Sequence, residues 1–406
     1  MSLANGRAYL AIPGPSVMPD AVLQAMHRAS PNIYEGELHD LTHSLIPDLK
    51  AVARTSGHVA IYIGNGHAAW EAALSNTLSK GDKVLVLATG SFCKSWGEMA
   101  AARGIDTQVI DYGDQSDIDL DQFAETLRAD TSHQIKAILA VHVDTSTGVK
   151  NDIAGLRAAL DDVGHPALLM VDCIASLGCD RFEMDAWGVD VMVAACQKGL
   201  MTPAGISFVW YNDRADAARG DLVSRYWDWR LRTDPDAYFM YFNGTAPTHH
   251  LYGLRVALDM IKAEGIEAVW ARHHTLARAV WAAFDKWSAK GGLALNIADP
   301  DKRSWAITSV FANSPDGDRL RAWCEQQAGL TLGIGLGRAP ADAYFRIGHM
   351  GHVNAHMILG VLSTIQAGLL ALGIVHGEGA IDAAARVIAD GSDVVEPPQS
   401  QGQCCA

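Results

Sequence analysis

Short runs that are apolar throughout alternate with helical segments between about residues 64 and 211. A strand without polar alternation is covered on both faces, which is typical of a parallel sheet between helices. The pattern therefore predicts an α/β fold with a mostly parallel sheet. The predicted strands are KVLVLA (83–88), KAILAVHVD (136–144), ALLMVD (167–172), VMVAAC (191–196) and ISFVWY (206–211).

The segments between these strands have apolar residues at helical spacing. Apolar residues recur with a helical period after Gly66 until the segment KGD (80–82), and DIAGLRAALDDVG (152–164) predicts a second helix that Gly164 ends. Beyond residue 248 the pattern becomes long and helical, and strands resume within SWAITSVF (304–311) and AYFRIGHM (343–350).

This change of pattern predicts two domains. We expect an N-terminal arm (1–18), a large domain (19–262) and a smaller C-terminal α+β domain (263–388). Residues 389–406 contain turn formers and little apolar material, so we expect this tail to be disordered.

The run MILGVLSTIQAGLLALGIV (357–375) is long enough and free enough of charge to resemble a membrane span. Its three glycines, its Ser, Thr and Gln residues, and the lack of aromatic or basic flanks favour a buried helix of a soluble domain.

Composition excludes some partners. The 406 residues include 32 Lys and Arg against 46 Asp and Glu, and the net charge of −14 repels nucleic acid and anionic lipid. The seven cysteines form no CxxC pair, which is typical of reduced thiols, and the N-terminus lacks the apolar core of a secretory signal. We therefore expect a cytoplasmic protein. The His pairs at 249–250 and 273–274 lack zinc-site spacing, so we expect no metal.

The segment GNGHAAWEAAL (64–74) is the first candidate site. It lacks the last glycine of a dinucleotide fingerprint, because residue 69 is Ala. Backbone amides around Asn65, Gly66 and His67, at the start of a helix, could bind a phosphate or carboxylate. An ordinary glycine turn is the alternative.

Two charged residues follow predicted strands. Asp172 closes ALLMVD and Lys198 follows VMVAAC, and ligands of open α/β sheets bind at the carboxyl ends of strands. Separately, each could be a solvated strand end. Together with the anion-binding turn they match what pyridoxal phosphate needs: a phosphate site, a carboxylate for the pyridine nitrogen and an amine for a Schiff base.

Several further segments resemble one family in order along residues 13 to about 351. They are PGPSVMPDAVLQAM, GNGHAAWEAAL, ATGSFCKSW, TSTGV, VDCIASLG, QKGL, NGTAPTHHLYGLR and FRIGHMG. The chain resembles the fold-type I, class V pyridoxal-phosphate aminotransferases, and among them the alanine/serine-glyoxylate aminotransferases and their relative pyridoxamine-pyruvate aminotransferase. The resemblance implies the fold-type I architecture and pyridoxal 5'-phosphate as cofactor.

The resemblance also implies roles for individual residues. Lys198 would form the Schiff base and move protons, and Asp172 would keep the pyridine nitrogen protonated. The phosphate would bind Asn65, Gly66 and His67, with Gln197 as a further candidate.

Three more positions match cofactor contacts of the family. Phe92 would stack on the pyridine ring, although a core phenylalanine is the alternative. Thr145, in a segment that is also a good turn sequence, would contact the ring oxygen. Thr245 would bind the phosphate of the neighbouring subunit, which implies a homodimer with shared active sites. Some relatives have a tyrosine that contacts the cofactor where this chain has Phe242, next to Tyr241.

Arg346 matches the arginine that binds the substrate carboxylate. A surface charge is the alternative, but its position after the glycine-rich LGIGLGRAP (332–340) favours a site residue. In contrast, Arg225, Arg230 and Arg232 in SRYWDWRLR (224–232) are interpreted as interface charges without a role.

The sequence thus predicts a transaminase that moves an amino group from a small amino acid to a small 2-oxo acid in two half-reactions. The family resemblance suggests glyoxylate as the acceptor. The alternatives are a pyridoxamine-pyruvate aminotransferase, a lyase or desulfurase on the same scaffold, and a member that binds the cofactor without turnover. A desulfurase needs a cysteine on a mobile loop, and residues 333–342 contain none.

Overall fold

The computed structural model of this chain describes residues 2–392, and within that range twelve strands and thirteen α-helices form two sheets with their covering helices. The strands are β1 (Tyr9–Ala11), β2 (His58–Gly64), β3 (Lys83–Ala88), β4 (Asp106–Asp111), β5 (Ile135–Val141), β6 (Leu168–Asp172), β7 (Val191–Ala195), β8 (Gly205–Tyr211), β9 (Ala294–Leu295), β10 (Ile307–Phe311), β11 (Leu330–Ile334) and β12 (Tyr344–Gly348). The helices are α1 (Asp20–Met26), α2 (Glu37–Ala53), α3 (Gly66–Thr77), α4 (Ser91–Ala102), α5 (Leu120–Ala129), α6 (Ile153–Val163), α7 (Asp213–Ala217), α8 (Arg230–Thr233), α9 (Thr248–Glu264), α10 (Ile266–Trp287), α11 (Asp316–Ala328), α12 (Ala355–Leu372) and α13 (Ala380–Asp390).

The larger sheet has seven strands in the order β2-β8-β7-β6-β5-β3-β4. The pairs β3-β4, β3-β5, β5-β6 and β6-β7 are parallel, and β8 runs antiparallel to β2 and β7. All five strands predicted from apolar runs before residue 212 lie in this sheet. The predicted α/β fold with a mostly parallel sheet is therefore confirmed.

Helices cover both faces of the larger sheet. In β3, Leu85 and Leu87 join a core shared with α2, α5, α6 and α9, whereas Val84 and Val86 join a core shared with α3 and α4. Both faces of β3 are buried, which explains why these strands have apolar sequences without polar alternation.

The sequence pattern did not predict β1, β2, β4, β9 and β11. β4 lies at an edge of the sheet and contains only exposed and half-buried residues, so its sequence DTQVID is largely polar. β1 and β9 have three and two residues, which is too short for a periodic signal.

The smaller sheet has five strands in the order β1-β11-β12-β10-β9. The neighbouring antiparallel strands β10 and β12 are those that the sequence predicted within residues 304–311 and 343–350. β1 pairs in parallel with β11, so residues 9–11 of the predicted N-terminal arm form an edge strand of this sheet. The domain boundaries at residues 18, 262 and 388 stay a prediction.

The apolar segment of residues 357–375 largely forms α12. By length and composition α12 could cross a membrane, and it is the one such helix among residues 2–392. One side of the helix, including Ile358, Leu362 and Ile365, packs in the core of the smaller sheet and its helices. The last helix reaches Asp390, and residues 393–406 of the tail predicted to be disordered lie outside the described residues.

Candidate active site

Asp172 and Lys198 meet at one edge of the larger sheet. Asp172 is the last residue of β6, which pairs in parallel with β7, and Lys198 follows the end of β7 by three residues. The carboxyl ends of parallel strands meet at the same edge of a sheet, so both residues lie at that edge. Both are buried, with 3 % and 9 % of their surface exposed.

The Asp172 carboxylate is held in one orientation. Its Oδ2 accepts a hydrogen bond from Trp70 Nε1 at 2.9 Å, and its Oδ1 accepts one from the Ile174 amide at 2.6 Å. Burial raises the pKa of Asp172 to about 7, although the Ile174 and Trp70 hydrogen bonds act in the opposite direction. A buried carboxylate in this state would be stabilised by a positively charged N–H group next to it.

The Lys198 amine is enclosed by the segment that follows β1. Nζ donates to the Pro13 carbonyl, and the Lys198 carbonyl accepts a hydrogen bond from Ser16 Oγ at 2.7 Å. Gly14 packs directly on the amine: a Cβ at this position would collide with Nζ, and its φ of +104° also favours glycine. This segment is one of those that resemble the family, but its sequence did not predict a role for it.

Burial and, to a lesser extent, the positive charge of Arg346 lower the pKa of Lys198 to about 8, whereas the charge of Asp172 acts in the opposite direction. A fraction of the amine is therefore neutral near neutral pH. A neutral amine is the form that attacks a carbonyl group and accepts a proton.

The N-terminus of α3 lies at the same edge of the sheet. Asn65 caps the helix, and its side chain accepts a hydrogen bond from the His67 amide at 3.1 Å. Gly66 is buried against the loop after Asp172, because a Cβ on Gly66 would collide with Ile174 Cδ1. The positive end of the helix dipole thus lies near the lysine and the aspartate, where an anion would be favoured.

Phe92 and Gln197 border the same region. Phe92 is half-buried in the first turn of α4, and its ring lies edge-on to Trp70 with the centroids 6.3 Å apart. The Oε1 atom of Gln197 is buried and has no hydrogen-bond partner among the described residues. The side chain of Gln197 therefore has bonding capacity left for a ligand.

Arg346 reaches the site from the smaller sheet. Its Nη1 donates to the Thr145 carbonyl at 2.7 Å, and its Nε donates to the Ile334 carbonyl at 2.7 Å. Only 5 % of its surface is exposed, which excludes the alternative of a surface charge. Burial lowers the pKa of Arg346 to about 10, so the guanidinium is charged at neutral pH.

Thr245 is the predicted site residue that does not join this group within one chain. It is exposed and lines a separate cavity together with Ile33, Tyr34 and Phe239. Phe242, three residues before it, is fully buried in the core of the larger sheet.

Sequence reasoning missed Trp70 and Asp144. Trp70 counted as a periodic apolar residue of α3, but its indole binds Asp172. Asp144 was included in a predicted strand, whereas β5 ends at Val141 and Asp144 lies in the following turn, fully buried. An acidic residue directly after an apolar strand was the available signal, the same one that identified Asp172.

Comparisons with known proteins agree with the geometry of this edge. Residues 8–353 match the family model described as Aminotransferase class-V. The chain is 37% identical to the serine--glyoxylate aminotransferase of Methylorubrum extorquens, over 91% of this chain and 92% of that protein. It is 34% identical to the L-aspartate--glyoxylate aminotransferase of Paracoccus denitrificans, over 89% of this chain and 91% of that protein. The crystal structure of pyridoxamine-pyruvate aminotransferase from Mesorhizobium loti superposes with a TM-score of 0.86 at 27% identity, covering 97% of this chain and 100% of that one.

Proposed function

The chain belongs to the class V aminotransferases, and from this premise we propose that it transfers the amino group of a small amino acid to glyoxylate. The relatives named above use serine or aspartate as donor, whereas glyoxylate is common to both names. The observation that carries the proposal is the buried pair of Lys198 and Asp172 at the sheet edge, with the Arg346 guanidinium close enough to lower the pKa of the amine.

We propose pyridoxal 5'-phosphate as the cofactor. When bound, it supplies an aldehyde that takes up the amino group and a ring that takes up electrons. The residues of the edge fit such a molecule: Lys198 for the aldehyde, Asp172 for the ring nitrogen, and the N-terminus of α3 for the phosphate. Phe92 would pack on the ring, and Gln197 and Thr145 would contribute polar contacts.

Lys198 would also move the proton. Its amine has a pKa lowered to about 8, mainly by burial. It would accept a proton from the Cα of the amino donor and deliver it to the carbon of the cofactor aldehyde group. The Pro13 carbonyl and Gly14 hold Nζ in place and exclude water from one side of it.

Arg346 would bind the carboxylate of either substrate. A guanidinium has five N–H donors, and two of those of Arg346 are used by the Ile334 and Thr145 carbonyls. The remaining donors, on Nη1 and Nη2, have no partner among residues 2–392 and form the planar end of the group. A carboxylate would bind there with two parallel hydrogen bonds, which fixes the substrate relative to Lys198.

We further propose a cytoplasmic homodimer. Thr245 faces a cavity away from Lys198 in its own chain, and the same cavity is lined by Ile33 and Tyr34. In a dimer this surface would face the active site of the partner subunit and supply the phosphate contact that one chain lacks.

The test is an assay of the purified enzyme with serine, alanine and aspartate as donors and glyoxylate as acceptor. We expect glycine to form at the rate at which the donor disappears. Consumption of the donor without any 2-oxo acid would identify a lyase. Turnover of pyridoxamine with pyruvate, and of no amino acid, would identify the activity named for the Mesorhizobium loti protein.

A further inference from the structure

The helix α4 has no N-cap of its own. Its N-cap residue, Gly90, has no side chain, and the first turn is half-buried apart from the fully buried Cys93, so its amides need acceptors. These acceptors come from the turn after β5. The Ser91 amide donates to Ser146 Oγ at 3.0 Å, and the amides of Phe92 and Cys93 donate to Asp144 Oδ2 at 3.0 and 3.4 Å.

The other oxygen of Asp144 organises its own turn. Oδ1 accepts hydrogen bonds from the Ser146 amide at 2.9 Å and from Ser146 Oγ at 2.6 Å. Burial raises the pKa of Asp144, and these hydrogen bonds, together with those from Phe92 and Cys93, lower it. All four hydrogen bonds of the Asp144 carboxyl group are accepted from N–H or O–H donors, and two of these donors are amides at the N-terminus of α4. Such surroundings stabilise an ionised carboxylate.

Gly90 is required by this arrangement. A Cβ at Gly90 would collide with the Asp144 carboxyl group, so a larger residue would move either the carboxylate or the start of α4. The φ of Gly90 is 164°, an extended conformation open to any residue, so close packing and not backbone strain explains the glycine.

The same turn holds the arginine of the site. Thr145 lies between Asp144 and Ser146, and its carbonyl accepts the hydrogen bond from Arg346 Nη1. The negative charge of Asp144 also raises the pKa of Arg346, against the effect of burial. One buried carboxylate therefore connects the helix that carries Phe92 to the turn that orients Arg346.

We propose that Asp144 is a positioning residue that sets the separation between the Phe92 ring, which packs on the cofactor, and the Arg346 guanidinium, which binds the substrate carboxylate. This inference rests on the proposed function of the edge. It assigns to Asp144 no contact with substrate or cofactor; it acts through the α4 amides and the Thr145 carbonyl.

Asp144→Asn is the direct test. An asparagine has one acceptor oxygen, so it can serve either the α4 amides or Ser146, and its NH2 group then faces donors on the other side. We expect a roughly tenfold higher KM for the amino donor, a roughly tenfold weaker cofactor affinity in titrations, and a smaller change in kcat, because about one charged hydrogen bond is lost.

Asp180→Asn is the matched control. Asp180 is also fully buried, and it accepts hydrogen bonds from the Trp305 amide at 2.8 Å and from Ser304 Oγ at 3.1 Å, but it contacts neither α4 nor the turn after β5. We expect it to lower thermal stability comparably while leaving KM and cofactor affinity unchanged. If both variants changed KM and cofactor affinity alike, Asp144 would be a stabilising core residue and the proposal would be wrong.

A milder variant and a cofactor-free readout complete the test. Ser146→Ala removes the acceptor of the Ser91 amide and keeps the carboxylate, so it remains informative if Asp144→Asn does not fold. It should change KM and cofactor affinity in the same direction by a smaller factor, and wild-type values would overturn the proposal.

Hydrogen exchange of the Phe92 and Cys93 amides in the cofactor-free protein should accelerate about tenfold or more in Asp144→Asn and stay unchanged in Asp180→Asn. Wild-type exchange in Asp144→Asn would overturn the proposal. If the wild-type enzyme transaminated no donor, the proposed function would fail, while exchange would still decide whether Asp144 holds α4.

Discussion

Two buried arginines in different regions of the molecule differ in how many of their donors are left free for a ligand. Arg346, in β12 of the smaller sheet, and Arg232, in α8, have 5 % and 1 % of their surface exposed, and burial lowers the pKa of both. Arg232 donates to the carbonyls of Ile61, Tyr226 and Tyr241, and Tyr226 accepts from both Nε and Nη2.

Aromatic rings complete the environment of Arg232. Its guanidinium carbon lies 4.4 Å from the ring centroid of Tyr62 and 4.8 Å from that of Tyr226. Arg346, in contrast, uses two donors and keeps its planar end free of partners among the described residues. Burial alone therefore does not distinguish the two arginines. The free donors of Arg346 support its proposed role in binding a carboxylate at the active-site edge of the larger sheet.

The largest expected effect is at the same edge, at Lys198. Lys198→Ala removes the amine that accepts the proton, so turnover should fall at least about a thousandfold. The fold should persist, because Nζ makes its hydrogen bond to a single carbonyl, that of Pro13. Circular dichroism and steady-state kinetics measure the two. A variant that turns over at near wild-type rates would refute the assignment of Lys198.

The two arginines give the next largest effects, one mainly on KM and the other on the free energy of unfolding. Arg346→Ala should raise KM for the amino donor roughly a hundredfold through loss of a bidentate charged contact. It should lower the free energy of unfolding less than Arg232→Ala does, because Arg346 donates to two carbonyls and Arg232 to three. Arg232→Ala should leave KM unchanged and lower the free energy of unfolding by about 3 kcal/mol, because it leaves buried carbonyls without donors. Denaturant titrations measure the free energy of unfolding of both variants, and steady-state kinetics measure their KM. Equal KM changes in the two would remove the distinction between them.

The smallest expected effect is a shift in the pH dependence of the reaction between Lys198 and an aldehyde. The pKa of Lys198 is lowered to about 8, so in the cofactor-free protein its reaction with an aldehyde should speed up until about pH 8 and then level off. A free lysine would level off near its usual pKa of about 10.4. Arg346→Gln removes a positive charge that lowers this pKa, so the midpoint should move to higher pH.

Arg232→Gln is the control for the same pH profile. Arg232 is absent from the groups that shift the Lys198 pKa, so the midpoint should not move. Rates of absorbance change on adding pyridoxal phosphate, recorded from pH 6 to 11, provide the profile. A midpoint that is the same in the wild type and in Arg346→Gln would contradict the electrostatic coupling of the edge.

The sequence predicted what local pattern and family resemblance can specify. Strands β3, β5, β6, β7 and β8 followed from apolar runs, because both faces of the sheet are buried. Asp172 and Lys198 followed from their places at the end of β6 and just after β7, since parallel strands end at the same edge.

Contacts between distant segments could not be predicted. Pro13 and Lys198 are 185 positions apart, and Phe92 and Asp144 are 52 apart, so neither pairing leaves a periodic signal. Arg232 was interpreted as an interface charge because charged residues are usually exposed, but the chain folds carbonyls and tyrosine rings around it. Which donors remain free is a property of the packed structure.

Reductive trapping tests the central claim most directly. The holoenzyme is treated with borohydride, which fixes any amine joined to the cofactor, and is digested for mass spectrometry. We predict one modified peptide, with the mass of the reduced cofactor on Lys198. Modification of a different lysine, or none in an enzyme that still transaminates, would contradict the account.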